Sequence, residues 1–294
     1  MRPDAGYTKP RNCHAMDFNL HTHTHFSDGG AAPDDYLTEA LRLGFRSLGF
    51  SDHGPLPFHT PFSLPEHRWP AYLAEIQALQ QRYRNRLDIW LGLEVDFIPG
   101  AGASPAELQR ALALDYRIGS VHLVANPDRR GLWFIDGPNP ATFDEGLRER
   151  FDGDIQAGVG AYYGQIQAMV REQPPDVVGH LDKIKMHGAG RHFSEDEPWY
   201  RALVEDTLAA IQAAGLIVEV NTRGIYQRRC PTPFPGPWVL ERILALGIPV
   251  TVSSDAHRPA ELGLCLEETV TLLKELGFRE QMTLTRLGWA PVDL

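Results

Sequence analysis

Seven short apolar runs alternate with stretches of helical period along this chain, and that alternation limits what the chain can fold into. The runs contain mainly Val, Ile, Leu or Phe, which is typical of buried strands. Strands separated by helices form parallel sheets, so the sequence predicts the α/β class. The predicted strands are 18–20, 47–50, 89–93, 118–121, 177–178, 216–220 and 248–252, and the predicted helices include 34–43, 72–84, 201–214 and 239–246.

A closed barrel is favoured over an open sheet because polar side chains follow the ends of all these strands. In a barrel of parallel strands the C-terminal ends open onto one rim, where residues distant in sequence meet. The length of 294 residues suits one such barrel, which typically takes about 250 residues. We therefore expect an N-terminal segment over 1–16 and a single barrel domain over 17–294.

The charge of the chain argues against a polyanionic partner. With 28 Lys and Arg against 38 Asp and Glu, the formal net charge is −10. Such a chain offers no basic surface on which nucleic acid would be held, although a local phosphate pocket is compatible with it. We therefore expect no nucleic acid as a partner, whereas a small phosphorylated molecule would need only such a local pocket.

The sequence shows no targeting signal that would direct the chain out of the cytoplasm. No apolar stretch reaches the roughly 18 residues of a membrane span, and the N-terminus lacks the pattern of a signal peptide. The three cysteines, Cys13, Cys230 and Cys265, are odd in number and widely spaced. We expect a reducing, cytoplasmic compartment and no membrane partner. The sequence gives no indication of the oligomeric state.

Nine side chains of metal-binding type stand at or just after the ends of the predicted strands. His21 and His23 lie two apart, so their rings project from one face of a strand, and Asp255 and His257 repeat this spacing near the other end of the chain. One such histidine alone is more often a hydrogen-bonded polar residue, but nine together predict a multinuclear metal centre. The nine are His21, His23, Asp28, His53, Glu94, His122, His180, Asp255 and His257.

Glu94 is the expected bridging ligand. It follows the apolar run 90–93, where a buried carboxylate is costly without a cation to neutralise it. A structural metal site closes its shell with four ligands, whereas nine ligands leave coordination positions open for chemistry. Two adjacent cations activate a shared water and bind phosphoryl oxygens. We therefore expect Glu94, Asp255 and His257 to be catalytic.

Substrate recognition is expected from three insertions, at 55–70, 125–145 and 223–237, which would lie as loops over the rim. The third carries Arg223, Arg228 and Arg229, whose guanidinium groups suit phosphate oxygens. A solvated basic cluster is the alternative interpretation. Asp96 should share a face with Glu94 and receive a cationic amine, unless it is simply solvated at the strand end.

Outer carboxylates usually orient metal-bound histidines, and Asp52 and Asp182 are the predicted ones. Lys183 is expected to pair with one of them. His25 continues the spacing of the first histidine pair and is a further candidate for this outer layer. The other histidines are expected in surface positions or loops, and they are His14, His59, His67, His187 and His192.

Several phrases of the sequence resemble those of the PHP (polymerase and histidinol phosphatase) superfamily, over about residues 17–278. They are His21-Thr-His-Thr, Phe50-Ser-Asp-His-Gly, Gly92-Leu-Glu-Val-Asp-Phe, Ile118-Gly-Ser-Val-His, Val178-Gly-His-Leu-Asp, Glu219-Val-Asn-Thr and Ser254-Asp-Ala-His. Within the superfamily the chain looks most like the histidinol-phosphatase branch. Three phrases carry that similarity, namely Trp133-Phe-Ile-Asp136-Gly, Tyr162-Tyr163 and Asn221-Thr222.

The resemblance implies a distorted seven-stranded, TIM-like (β/α) barrel with two or three divalent ions, of manganese, iron or zinc, at the C-terminal rim. It also implies ligand sets: His21, His23, Glu94 and Asp255 for the first metal, Glu94, His122 and His180 for the second, and Asp28, His53 and His257 for the third. One position departs from the branch. Typical histidinol phosphatases have a histidine where this chain has Gly29, whereas Asp28 matches the phosphoesterase branches.

Three functions compete at this point. The first is a phosphomonoesterase that hydrolyses L-histidinol phosphate in histidine biosynthesis by means of a metal-bridging hydroxide. The second is a PHP-type phosphoesterase or exonuclease acting on nucleotides or diesters, which Asp28 favours and the acidic composition disfavours. The third is a non-catalytic binding protein whose bound metals only stabilise its fold.

Overall fold

The computed structural model describes residues 16–126 and 128–294, and its central element is a sheet of seven parallel strands. Along the chain the strands are β1 (Phe18–Asn19), β2 (Ser47–Phe50), β3 (Asp88–Asp96), β4 (Tyr116–Ser120), β5 (Leu123–Asn126), β6 (Arg129–Phe134), β7 (Val177–Val178), β8 (Ile217–Asn221), β9 (Val250–Ser253), β10 (Glu280–Thr285) and β11 (Gly288–Asp293). The sheet order is β1-β2-β3-β4-β7-β8-β9, and two antiparallel hairpins, β5–β6 and β10–β11, lie outside it. All seven predicted strands are present, with small shifts at their ends.

The sheet closes where its first and last strands end. Thr22 pairs with Ala256 in a parallel bridge just beyond β1 and β9. The amide of His23 donates to the Ala256 carbonyl at 2.8 Å, and the Ala256 amide donates to the His21 carbonyl at 3.2 Å. The predicted seven-stranded (β/α) barrel is therefore confirmed.

The helices surround the barrel and begin and end at residues with clear conformational preferences. They are α1 (Pro33–Arg42), α2 (Trp69–Tyr83), α3 (Pro105–Leu112), α4 (Pro140–Phe151), α5 (Ile155–Glu172), α6 (Lys185–Gly188), α7 (Pro198–Ala214), α8 (Arg223–Tyr226), α9 (Pro237–Leu246) and α10 (Leu266–Leu276). Proline opens five of them, at the position where its missing amide costs nothing. Gly215, Gly247 and Gly277 end α7, α9 and α10 in the left-handed conformation that favours glycine.

One predicted loop is mostly regular structure. The insertion 125–145 contains the end of β5, the whole of β6 and the start of α4. The helix that follows, α5, was also not among the predicted helices. It packs against α4, α7 and β5.

The bottom of the barrel is closed by Tyr116, which is fully buried. Its hydroxyl donates to the Leu20 carbonyl at 2.6 Å. The neighbouring strands carry glycines, Gly49 and Gly92, at positions where a Cβ atom would overlap the Tyr116 side chain. These glycines therefore make room for the Tyr116 ring between the strands.

Two further expectations concern the N-terminal segment and membrane-spanning helices. Residues 1–15, with Cys13 and His14, lie outside the described residues, so the predicted boundary between 1–16 and 17–294 stays a prediction. Among the described helices, none combines the length and the apolarity needed to cross a lipid bilayer.

We predict that Gly92→Ala destabilises the fold by about 1–3 kcal/mol, the usual cost of overpacking a core. The new methyl carbon would lie 2.5 Å from ring carbons of Tyr116. Denaturant unfolding measures the change. The control is Gly164→Ala on α5, which meets nothing within 4 Å and should stabilise by about 0.5–1 kcal/mol. Equal stability of the two variants would contradict the role given to Tyr116.

Candidate metal centre

Two pairs of side chains face each other where the barrel closes. Thr22, one partner of the closing bridge, lies between His21 and His23. The other partner, Ala256, lies between Asp255 and His257. The Nε2 atoms of His21 and His23 are 3.7 Å and 3.3 Å from Asp255 Oδ1. Asp255 takes a left-handed φ of 51°, and its carbonyl accepts a 2.7 Å hydrogen bond from Arg223 Nη1. Backbone pairing thus sets the first group of ligands.

Glu94 lies at the middle of the cluster and is 1% exposed. Its Oε2 atom is 3.2 Å from His21 Nε2 and 3.4 Å from His23 Nε2. Its Oε1 atom is 2.8 Å from His180 Nε2 and 3.5 Å from His122 Nε2. The two oxygens of one carboxylate therefore face two separate histidine pairs, which is the geometry of a bridging ligand.

A third group lies toward the solvent side. Asp28 Oδ2 is 3.2 Å from His257 Nε2, and Asp28 Oδ1 is 3.8 Å from His53 Nε2. The loop that carries Asp28 is very tight, because a Cβ atom on Gly29 would overlap the His23 carbonyl. A histidine at position 29 would require a different loop, which gives a steric reason for the departure from the histidinol-phosphatase pattern.

The structure brings all nine predicted ligands together. Within each group, the potential ligand atoms lie within 4.8 Å of one another. The groups are His21, His23 and Asp255; Glu94, His122 and His180; and His23, Asp28, His53 and His257, with a further overlapping group of His53, Asp96 and His122. They closely follow the ligand sets that the resemblance implies, although metal binding by each residue stays a prediction.

Unpartnered polar atoms show that these residues fit divalent cations. The buried atoms His21 Nε2, His23 Nε2, His53 Nδ1 and Asp255 Oδ1 have no hydrogen-bond partner among the described residues. Leaving buried polar atoms unpaired costs about 1–3 kcal/mol each. Imidazole nitrogens and carboxylate oxygens converging in this way are the donor set that manganese, iron and zinc accept.

The charges of the site support the same conclusion. Burial raises the pKa of Glu94, but the neighbouring histidines outweigh it and hold that pKa well below its usual range. Burial lowers the pKa of His122, but Asp96 and Glu94 outweigh it and raise the pKa to about 10. Burial lowers the pKa of His21 as well, but Glu219, Asp255 and Glu94 outweigh it and raise that pKa. Protons on His21 and His122 thus balance part of the buried carboxylate charge when no cation is present. Bound divalent cations would take over this role and release those protons.

Two outer carboxylates orient histidines of the cluster. Glu219 Oε1 lies 2.5 Å from His21 Nδ1, and its Oε2 accepts a 2.8 Å hydrogen bond from the His180 amide. Asp96 Oδ1 lies 3.0 Å from His122 Nδ1. The sequence interpretation missed the role of Glu219, although a carboxylate inside the apolar strand β8 was a usable signal.

The outer carboxylates predicted from the sequence act differently. Asp52 accepts hydrogen bonds from Thr24 and Ser27 and so holds the loop that carries Asp28. Asp182 accepts hydrogen bonds from Lys185 and from the Gly236 amide. Both fix loops at the rim, so the expectation that they orient histidine rings is corrected.

A cavity of about 220 Å³ opens above the cluster. Besides metal-binding side chains, it is lined by apolar residues and by three side chains of fixed positive charge. The lining consists of Asp28, His53, Phe62, Glu94, His122, Phe134, Asp136, Gly137, Pro138, Lys183, Met186, Arg223, Gly224, Gln227, Arg229, Phe234, Asp255 and His257. Its size suits a small molecule.

Several expectations about the cavity need correction. Arg223 and Arg229 line it, whereas Arg228 does not. Asp96 does not line the cavity, because its carboxylate is hydrogen-bonded to the His122 ring. Lys183 pairs with Asp136 at 2.9 Å and not with Asp52 or Asp182.

Two histidine expectations also differ from the structure. His25 is exposed and its ring lies beside the Phe26 ring, with centroids 4.5 Å apart, so it does not belong to the outer layer of the centre. His187 is buried on α6, and its Nε2 donates to the Gly137 carbonyl at 2.7 Å, so it is not a surface residue. It supports the turn at the cavity edge.

A barrel of seven parallel strands with a cluster of metal-binding side chains at its C-terminal rim is typical of metal-dependent hydrolases. The family model described as PHP domain matches residues 19–223. The chain belongs to the PHP family.

Named relatives point to one branch of that family. A "probable histidinol-phosphatase" from Deinococcus radiodurans is 32% identical over 265 residues, which are 90% of this chain and 94% of the relative. The histidinol-phosphatase of Bacillus subtilis is 29% identical, over 84% of this chain and 96% of the relative. The histidinol phosphate phosphatase of Lactococcus lactis, solved with zinc, L-histidinol and phosphate, superposes with a TM-score of 0.65 at 23% identity, over 94% of this chain and 99% of that one.

We predict that Glu94→Gln lowers the metal content of the purified protein, because the neutral amide cannot balance two cations. The wild-type chain should carry two or three divalent ions by elemental analysis. Chelation should lower its melting temperature, since ligand at a thousand times its Kd stabilises by about 4 kcal/mol. Glu145→Gln is the control, as that side chain is 62% exposed. Wild-type metal content in Glu94→Gln would contradict the bridging geometry.

Proposed function

We propose that this chain is a phosphoric monoester hydrolase that converts L-histidinol phosphate and water into L-histidinol and inorganic phosphate, a step of histidine biosynthesis. The observation that carries the proposal is the position of Glu94, whose two oxygens face two histidine pairs under a cavity of metabolite size. The relatives from Deinococcus radiodurans and Bacillus subtilis, which this chain covers nearly end to end, support the substrate.

The proposed cofactors are two or three divalent ions of manganese, iron or zinc. The ligands would be His21, His23, Glu94 and Asp255 for the first ion, Glu94, His122 and His180 for the second, and Asp28, His53 and His257 for the third. When bound, such ions activate water as a nucleophile and withdraw charge from phosphoryl oxygens. The hard carboxylate of Asp28 shifts the third site toward manganese or iron relative to zinc.

The chain's own cations would bind the phosphate. Arg223 is already fixed in place, because its Nη1 donates to the Asp255 carbonyl at 2.7 Å and lies 3.2 Å from the Tyr226 hydroxyl. Arg229 reaches the cavity from the same segment. Planar guanidinium groups donate two parallel hydrogen bonds to phosphate oxygens, which positions the phosphorus atom over the cluster.

Lys183 and Asp136 add a charged pair to the wall. Lys183 Nζ is 2.9 Å from Asp136 and 3.9 Å from Asp255. Burial lowers the pKa of Lys183, but these carboxylates outweigh it and the pKa lies above its usual value. The amine therefore stays charged and adds positive potential beside the place where the phosphate would bind.

We predict that the wild-type enzyme, supplied with manganese or zinc, hydrolyses L-histidinol phosphate much faster than bis-p-nitrophenyl phosphate. A monoester carries one substituent on its phosphorus, whereas a diester extends from the phosphorus in two directions, for which a cavity of about 220 Å³ leaves little room. Release of phosphate and of nitrophenol measures the two rates. Faster cleavage of the diester would support the phosphodiesterase alternative, and no turnover of either would support a binding protein.

We also predict that Arg229→Ala lowers kcat/KM for histidinol phosphate roughly ten- to hundredfold, the effect of losing a charge-assisted hydrogen bond of about 1.5–3 kcal/mol. Steady-state kinetics measure the change. Arg228→Ala is a matched control, because it removes the same charge from the adjacent position outside the cavity lining. Equal losses in the two variants would indicate a general effect of charge and not a phosphate contact.

A further inference from the structure

The wall of the cavity above the ligand cluster is aromatic. Two rings, Phe62 and Phe134, lie nearly parallel, with centroids 5.9 Å apart and planes 6° apart. Phe62 comes from the segment 55–70 between β2 and α2, and Phe134 ends β6, so two separate insertions meet here. Both rings line the same cavity as Glu94.

These rings are not explained by packing of the protein itself. Both are only partly buried, and the described hydrophobic core includes neither. Exposing aromatic carbon beside a cluster of charges forfeits the free energy of burying it. A ligand that covers the rings would recover this free energy.

Their positions are nevertheless fixed. The Phe62 ring meets the His53 ring edge-on, with centroids 5.4 Å apart. A Cβ atom on Gly137 would lie 3.1 Å from the Phe134 ring, so the turn after β6 closes tightly around that ring. A wall held in this way is preorganised to receive a flat group at a set distance from the ligand cluster.

We infer that Phe62 and Phe134 form an aromatic wall that selects phosphomonoesters whose alcohol carries a flat ring, such as imidazole. This inference rests on the proposed function and deepens it. Flat rings stack against aromatic faces with a gain beyond that of buried area alone, and a protonated imidazole adds a cation–π attraction. An aliphatic side chain of similar size gains only the burial.

The test compares three substrates that share the phosphate and the α-amine. They are the phosphate monoesters of L-histidinol, of L-leucinol and of L-alaninol, which offer a flat ring, an aliphatic group and almost no side chain. The variants are Phe62→Leu, Phe134→Leu and the double variant, which keep apolar volume but lose the ring faces. Phe58→Leu is the control, since Phe58 belongs to the same segment as Phe62 but is 43% exposed outside the cavity lining.

Each single substitution should lower the ratio of kcat/KM for histidinol phosphate over leucinol phosphate about two- to tenfold. The double variant should lower it further, alaninol phosphate should stay within twofold, and Phe58→Leu should leave the ratio unchanged. Inhibition by L-histidinol should weaken in the double variant, while inhibition by inorganic phosphate should not. Metal content by elemental analysis verifies that the site is intact.

An unchanged ratio in the double variant, with wild-type turnover of all three esters, would overturn the aromatic wall and leave the proposed function standing. An equal loss for all three esters would likewise overturn it, since the rings would then serve the site in general. If the wild-type protein, loaded with metal, hydrolysed none of the three esters, the proposed function would fail first, and the inference with it.

Discussion

The backbone pairing that closes the barrel is the constraint on which the site depends. The bridge between Thr22 and Ala256 joins the first strand to the last, and metal-binding residues flank it on both sides. Because side chains at i and i+2 share one face of a strand, closure turns both pairs inward together. No local feature of either segment could bring them together, since they lie more than two hundred residues apart.

Charge balance is the second constraint. Glu94, Asp255 and Glu219 are all at most 2% exposed, and a buried carboxylate is tolerable only when it is paired or neutralised. Histidine rings supply that pairing in the cluster, and Glu219 links the His21 ring to the His180 backbone. Glu219 therefore holds the His21 ring and the His180 backbone in fixed relative positions, so that both imidazole rings stay directed at Glu94.

The insertions decide what can enter. The hairpin β5–β6 and the segment 55–70 place apolar rings on one side of the cavity, and the segment after β8 places Arg223 and Arg229 on it as well. The insertions combine a cationic end with an aromatic wall, which is the complement of a small phosphate ester with a ring.

The sequence by itself determined the seven strands, the barrel and the nine clustered side chains, because strand-end positions in a barrel converge whatever the loops do. It did not determine which charged groups meet inside the loops. Asp96 orients His122, Lys183 pairs with Asp136, and Arg228 lies outside the lining that Arg229 reaches. These outcomes depend on the path of irregular segments and on side-chain direction, which no sequence period encodes. Only the tertiary structure could decide them, because a shift of one position in such a segment exchanges a residue that lines the cavity for one that does not.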